Sequence, residues 1–209
     1  MEKKIQIYNT IAAIIIFVCF PLLLWAVGDF PRRTLLKEVV SLLSIIAFSL
    51  MLGQFFLVRS NRNILDGHKM AGFLKIHKFI GYFFIPVLFL HPLLIVFPRY
   101  FESGISPVDA FVIMISNYDK TGIFLGMLAY LLMLILGLTS LFRKRLNFKY
   151  STWRLIHGCL SIAFIIVAVW HVLIQGRHMN LPMSVLILTL AAAGVGLLLK
   201  TYMFELIKK

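Results

Sequence analysis

Six long apolar stretches recur along the chain, separated by short segments that hold most of the charge. They cover approximately residues 8–28, 37–58, 75–97, 121–142, 153–174 and 182–202. Each is long enough to cross a hydrocarbon core of roughly 30 Å, which takes about 20 helical residues. The expected fold class is therefore all-α integral membrane, a six-transmembrane-helix bundle. The spans leave no room for a separate soluble domain, and no low-complexity or Gly/Ser-rich linker divides the chain, so residues 1–209 read as one domain. The first stretch follows the basic start MEKK and ends in Trp25-Ala26-Val27-Gly28, as a secretion signal does. Its apolar run is too long for a signal core, and it is read as a helix.

Composition agrees: 61% of residues are hydrophobic and 14% charged, with a mean hydropathy of +0.94, outside the range of soluble domains. A net charge of +13 raises the question of a nucleic-acid partner. The placement of the charges answers it. With six spans, the N-terminus, the second and fourth loops and the C-terminal tail share one side, and they hold fifteen of the 21 basic residues. The positive-inside bias then places both termini in the cytoplasm, N-in/C-in. Topology accounts for the charge; the partner it implies is the lipid membrane, with no nucleic acid. Cys19 and Cys159 fall inside apolar spans, where they read as small buried hydrophobes with no disulfide role. The long outer loop, residues 98–120, holds Glu102, Asp109 and Asp119, and its apolar middle DAFVIMIS is expected along the interface.

Four of the six histidines lie inside predicted spans, His77 and His91 in the third, His157 and His171 in the fifth. Each pair is separated by 14 residues, a rise of about 21 Å and just under four turns, so each pair shares nearly one helix face. The third and fifth spans run in the same direction. His77 is thus expected level with His157, and His91 with His171. A single intramembrane histidine is often structural, its ring bonded to a neighbouring carbonyl. Two pairs matched in spacing and depth point instead to a ligand site or a pathway.

The surroundings match too. Four residues after the first histidine of each pair stands a small residue, Gly81 or Ser161, one turn along the same face and leaving space for a flat macrocycle. Seven residues after it stands Phe84 or Phe164, which would fill the gap between two stacked sites; in a chain with 19 Phe, ordinary packing explains them equally well. Two imidazoles facing each other from parallel helices are what a bis-histidine haem requires, and two levels make two b-type haems between helices 3 and 5. Zinc asks for about four ligands in a tetrahedron, and each level offers two. Lys75, Lys78 and Arg154 stand within a turn of the inner pair and suit haem propionates; Arg177 and His178 are placed to serve the outer haem in the same way. Snorkelling anchors would look the same. Pro86 and Pro92 remove two backbone donors near His91 and are expected to bend the third helix. His68 falls in a cytoplasmic loop and reads as solvated.

At this point the residues resemble a known family. Two helices carrying His, thirteen residues and His, in the third and fifth of six spans, are similar to the membrane domain of ferric reductases and NADPH oxidases. RKRLNFKYSTWRLIH, residues 143–157, is similar to the basic loop and W-x-x-x-H start of the fifth helix in bacterial members, among them the haem subunit of the periplasmic methionine-sulfoxide-reducing system. Members of that branch often lack one of the four histidines; all four are present here. The resemblance implies electron passage from a cytosolic flavin to an inner haem on His77 and His157, an outer haem on His91 and His171, and an acceptor outside. Oxidases and yeast-type ferric reductases continue into a flavin and nicotinamide domain, whereas this chain passes from the sixth helix to YMFELIKK, and AAAGVGLLLK, residues 191–200, lies inside a span with no preceding strand. FMN or FAD is therefore expected on a partner.

The function these readings give is a di-haem b-type electron-transfer protein. A cytosolic flavin reductase or quinol would be the donor. Ferric iron, oxygen or an extracytoplasmic partner protein would be the acceptor. Both irons would be six-coordinate, with no open position for substrate, and the chain itself would be the membrane subunit of an oxidoreductase. The competing reading is a transporter or channel that uses the histidines for proton relay or metal-ion passage. It calls for acids near the midplane, and no Asp or Glu lies in the middle of any span.

Overall fold

The computed structural model describes residues 2–57 and 70–207. His68, with Arg59, Arg62 and Lys69, lies outside them. The described residues are helical and contain no strand: α1 (Glu2–Ile14), α2 (Phe20–Val27), α3 (Leu35–Gly53), α4 (Met70–Ser103), α5 (Pro107–Ser116), α6 (Thr121–Leu141), α7 (Tyr150–Gln175) and α8 (Leu181–Ile207). Six stretches are long and apolar enough to cross a membrane: Tyr8–Val27, Leu35–Gly53, Leu74–Pro98, Thr121–Leu141, Tyr150–Gln175 and Leu181–Met203. They coincide with the six expected from the sequence, with ends shifted by a few residues. Large apolar side chains such as Phe79, Phe83, Ile166 and Trp170 stand more than half exposed on the protein surface. In water that would be costly; against lipid tails it is the expected outer face of a multi-pass membrane protein.

Local sequence explains the irregular places. α1 and α2 are joined by a π-helical segment, Ile15–Cys19, in which the Phe20 N–H bonds back to the Ile15 carbonyl. Pro21 follows at the start of α2. Proline lacks the N–H that an α-helix needs and crowds the carbonyl four residues earlier, and a widened turn absorbs both problems without ending the span. α3 closes at Gly53, earlier than the expected end near residue 58. The following N–H groups of Phe55, Phe56 and Leu57 bond three residues back, tightening the chain into successive turns. α4 runs unbroken through Pro86 and Pro92 and extends past both expected ends. The short apolar α5 stands where the outer loop was expected to hold an interfacial segment. Its N-cap Ser106 accepts from the Asp109 N–H at 3.1 Å, and Pro107 occupies the first turn, where a missing N–H costs nothing.

The chain packs as two compact units, Met1–Leu88 with Asn180–Lys209, and Phe89–Met179; the division falls inside α4. In the first unit, α2 and α3 pack on each other and on α8. Phe17 sits against Gly53, 3.4 Å from where a Cβ would stand, and its ring lies 5.3 Å from that of Phe56. In the second unit α6 and α7 run past each other in opposite directions. Gly122, near the start of α6, meets Gln175 at the end of α7, and Gly126 meets His171. At the other end, the Trp153 indole N–H donates to the Thr139 carbonyl at 3.2 Å. The small faces of Gly122, Gly126 and Ala129 let α7 come close, the usual solution where helices pack in lipid without a hydrophobic driving force.

One expectation is corrected. Cys19 and Cys159 are free, as read, but exposed rather than buried. In a bilayer the outward face is itself apolar, so an apolar run does not tell a core position from a lipid-facing one.

Candidate cofactor site

His171 is the best-defined of the four histidines. Its Nδ1 lies 2.7 Å from the Gly122 carbonyl oxygen, across from α7 to α6. A carbonyl can only accept, so Nδ1 carries the proton and donates it. The lone pair is then on Nε2, the tautomer a metal-binding imidazole needs, with its other nitrogen held by a backbone oxygen. Gly126 forms the wall behind the ring: a Cβ there would stand 2.7 Å from His171 Cε1 and 2.9 Å from Nδ1. Only glycine fits at that distance. His91, on α4 in the same unit, lies near enough for its charge and that of His171 to be felt by each other. Both residues expected at the outer level therefore lie in one unit.

His157 is held differently. The Trp153 ring, one turn earlier, stacks on the imidazole at a centroid distance of 5.0 Å and an interplanar angle of 21°. Tyr150 stacks on Trp153 in turn, 6.0 Å away. The Arg143 guanidinium lies over both, 4.6 Å from the Tyr150 ring and 4.9 Å from Trp153. The sequence motif W-x-x-x-H thus becomes an aromatic clamp on the histidine, closed on the outer side by a cation. Ser161, expected only to make room, has a hydroxyl that donates to the His157 carbonyl at 2.7 Å. It stays against its own helix. Arg154 is half-buried, while Lys75 and Lys78 are exposed on α4.

His77 belongs to the first unit and His157 to the second. His77 is half-exposed, and its Nδ1 is sealed from solvent with no hydrogen bond among the described residues. Gly81, one turn on, meets only ordinary contacts: a Cβ there would lie 3.5 Å from Gln54 Nε2 and 3.9 Å from Ile85 Cδ1. Helix packing does not require a glycine at that position. Phe164 is buried in the second unit, and Phe84 lies in the first with its ring 4.9 Å from that of Phe83, edge to face. Beyond α7, Arg177 is exposed and His178 is buried. Among the described residues no three His, Cys, Asp or Glu side chains gather into a metal-binding group.

Sequence reasoning missed three residues that shape these sites: Gly122, Gly126 and Gln54. The first two were legible as the G-x-x-x-G of GIFLG, a spacing that marks a close helix contact in membranes. Gln54 was visible as the lone amide in the apolar run LMLGQFFLV.

A protein of Archaeoglobus fulgidus described as an uncharacterized protein is 41% identical over 164 residues, 78% of this chain and 89% of that one. No solved structure matches. Residues 43–168 match the family described as ferric reductase like transmembrane component, a stretch that takes in His77, His91 and His157 and stops just before His171. The chain belongs to that family.

Proposed function

We propose that this protein is a di-haem b-type cytochrome that carries electrons across the membrane from the cytoplasmic side outward. The observation that carries the reading is the His171–Gly122 bond, which commits His171 to the ligand tautomer beside a second histidine, His91. His171, with Nδ1 engaged and its Nε2 lone pair available, would form with His91 a donor set suited to a haem iron. Family membership supports redox work over ion passage.

Haem bound at such a pair supplies a one-electron couple between ferric and ferrous iron. The chain's residues do the rest. His91 and His171 would hold the outer group, with Gly126 and the Gly122 carbonyl fixing the His171 ring so that little rearranges when the charge at the metal changes. His77 and His157 would hold the inner one, with Trp153 fixing the plane of His157. Gly81, bordered by Gln54 and Ile85, would offer a small face of α4 beside His77 to a flat macrocycle. Apolar helices keep water away, and two levels about 21 Å apart along each helix divide one long crossing into shorter hops. With two histidines at each level to hold the group, an acceptor would receive electrons at the protein surface.

The donor side is the basic face at the start of α7. Arg143, Lys144, Arg145 and Lys149 are all exposed there, near the clamp that holds His157. That charge suits the acidic face of a cytosolic flavoprotein carrying FMN or FAD. Quinol is the alternative donor, and ferric chelate, oxygen or an extracytoplasmic protein the acceptor. The test is vectorial: purified protein in liposomes that enclose ferricyanide, with reduced flavin outside. Reduction of the enclosed acceptor only in protein-containing vesicles supports the reading. Haem reduction with the enclosed acceptor left oxidised overturns it.

A further inference from the structure

Tyr150, Trp153 and His157 stand three and four residues apart on α7, the spacing that puts side chains on one helix face. Their rings are nearly parallel and follow one another in a row, Tyr150 to Trp153 at 6.0 Å and 25°, Trp153 to His157 at 5.0 Å and 21°. Exposure falls along the row, from Tyr150 at 45% to the half-buried Trp153 and His157. Aromatic residues are common where a helix leaves the bilayer, but anchoring there asks for neither mutual stacking nor a histidine at the inner end. Trp153 is also fixed in place, its indole N–H held by the Thr139 carbonyl of α6 at 3.2 Å.

The charge around the row identifies what meets its open end. The Arg143 guanidinium lies over the Tyr150 and Trp153 rings, with no carboxylate paired to it among the described residues. Lys144, Arg145 and Lys149 are exposed in the same lead-in to α7. A flat aromatic group that carries negative charge satisfies both features, stacking on the exposed ring and pairing with the cations. Reduced flavin, anionic in its ring and its phosphate, is such a group. His157 is seven positions after Tyr150, about two turns and roughly 10 Å along the helix axis. Saturated side chains would couple the two ends of that gap poorly, whereas stacked conjugated rings span it.

We propose that Tyr150 and Trp153 form the electron entry path to the inner site: the donor's reduced flavin ring lands beside Tyr150, and its electron reaches His157 through the two stacked rings. The reduced flavin is oxidised by one electron, and ferric iron held at His157 is reduced by one. No bond forms or breaks, no proton has to cross, and neither ring is left oxidised or reduced. The basic residues draw the donor to this end of α7. The rings fix where its flavin sits for transfer to be fast.

The path rests on the di-haem reading, and a haem count on the wild-type protein comes first; fewer than two haems per chain defeats that reading. The landing of flavin is read separately, on haem-free protein titrated with FMN. Flavin emission should be quenched saturably by the wild type and by Tyr150→Phe, which keeps the ring, and not by Tyr150→Leu. In the haem-loaded protein Tyr150→Leu, a change at an exposed position, should leave haem content and both midpoint potentials as in the wild type. Stopped-flow reduction by photoreduced FMN at equal concentration should slow about tenfold in Tyr150→Leu and keep the wild-type rate in Tyr150→Phe. Dithionite, which has no ring to stack, should reduce all three proteins alike. Docking by charge alone predicts one FMN rate for all three. Equal FMN rates in the wild type and Tyr150→Leu, quenching that survives in Tyr150→Leu, slowing in Tyr150→Phe, or the same slowing with dithionite would overturn the path.

Discussion

His171 donates its Nδ1 proton to the main-chain oxygen of Gly122 at 2.7 Å, tying α7 to α6 at the end opposite the Trp153–Thr139 bond. Because the acceptor is a backbone atom, no side-chain substitution at position 122 removes it directly. The ring behind it is the sensitive part.

At Gly126, an added methyl group would meet His171 Cε1 at 2.7 Å. The imidazole cannot yield without giving up its bond to Gly122, and overpacking of this kind costs about 1–3 kcal/mol. Gly126→Ala is therefore expected to lower outer-haem occupancy and the melting temperature together. Absorbance per chain and a thermal scan check both.

Truncating the histidines one at a time tests the levels. His91→Ala and His171→Ala should each remove the outer haem and leave the inner one bound, and His77→Ala and His157→Ala should do the reverse. Redox titration tells the two haems apart by potential. The same residual spectrum and potential in all four variants would show that the histidines do not form two levels.

Gly81→Ala separates fold from cofactor. A Cβ there meets only ordinary contacts within the protein, and Gly to Ala inside a helix is worth about 0.5–1 kcal/mol in favour of the helix. Stability of the haem-free protein should hold or rise, while haem affinity falls because the clearance beside His77 shrinks. Haem titration of the apoprotein, with its melting temperature, reads the two opposite signs.

Ionic strength distinguishes the donors. If an acidic flavoprotein docks on Arg143, Lys144, Arg145 and Lys149, haem reduction by it should slow steeply between low salt and about 1 M, where the screening length falls to roughly 3 Å. Reduction by a quinol analogue should barely respond. Stopped-flow absorbance at the haem bands measures both.

Much of this molecule was legible in its sequence because lipid imposes simple rules. Apolar runs of bilayer length gave the six spans, and the matched histidines stood out because a polar ring inside such a run needs a reason. The two residues that hold His171 did not stand out. Gly122 acts through its carbonyl, which every residue has, and Gly126 acts through the absence of a side chain. The G-x-x-x-G of GIFLG marks a close helix contact, but that the contact is with His171 is visible only once α6 is known to lie on α7. The lead-in to α7 was legible as a motif but not as a mechanism: Trp153 four residues before His157 suggested a helix turn, and only the structure shows the ring stacked on the imidazole and Arg143 over it. The exposure of Cys19 and Cys159 was misread because, for a helix in lipid, hydrophobicity does not tell inside from outside.

Whether four histidines hold two haems is measured by a pyridine haemochrome count per chain on purified, detergent-solubilised protein, with visible spectra before and after dithionite. Sharp low-spin b-type bands and two haems per chain are expected. A colourless preparation from haem-replete cells would contradict this and assign the matched histidines to proton or metal-ion passage.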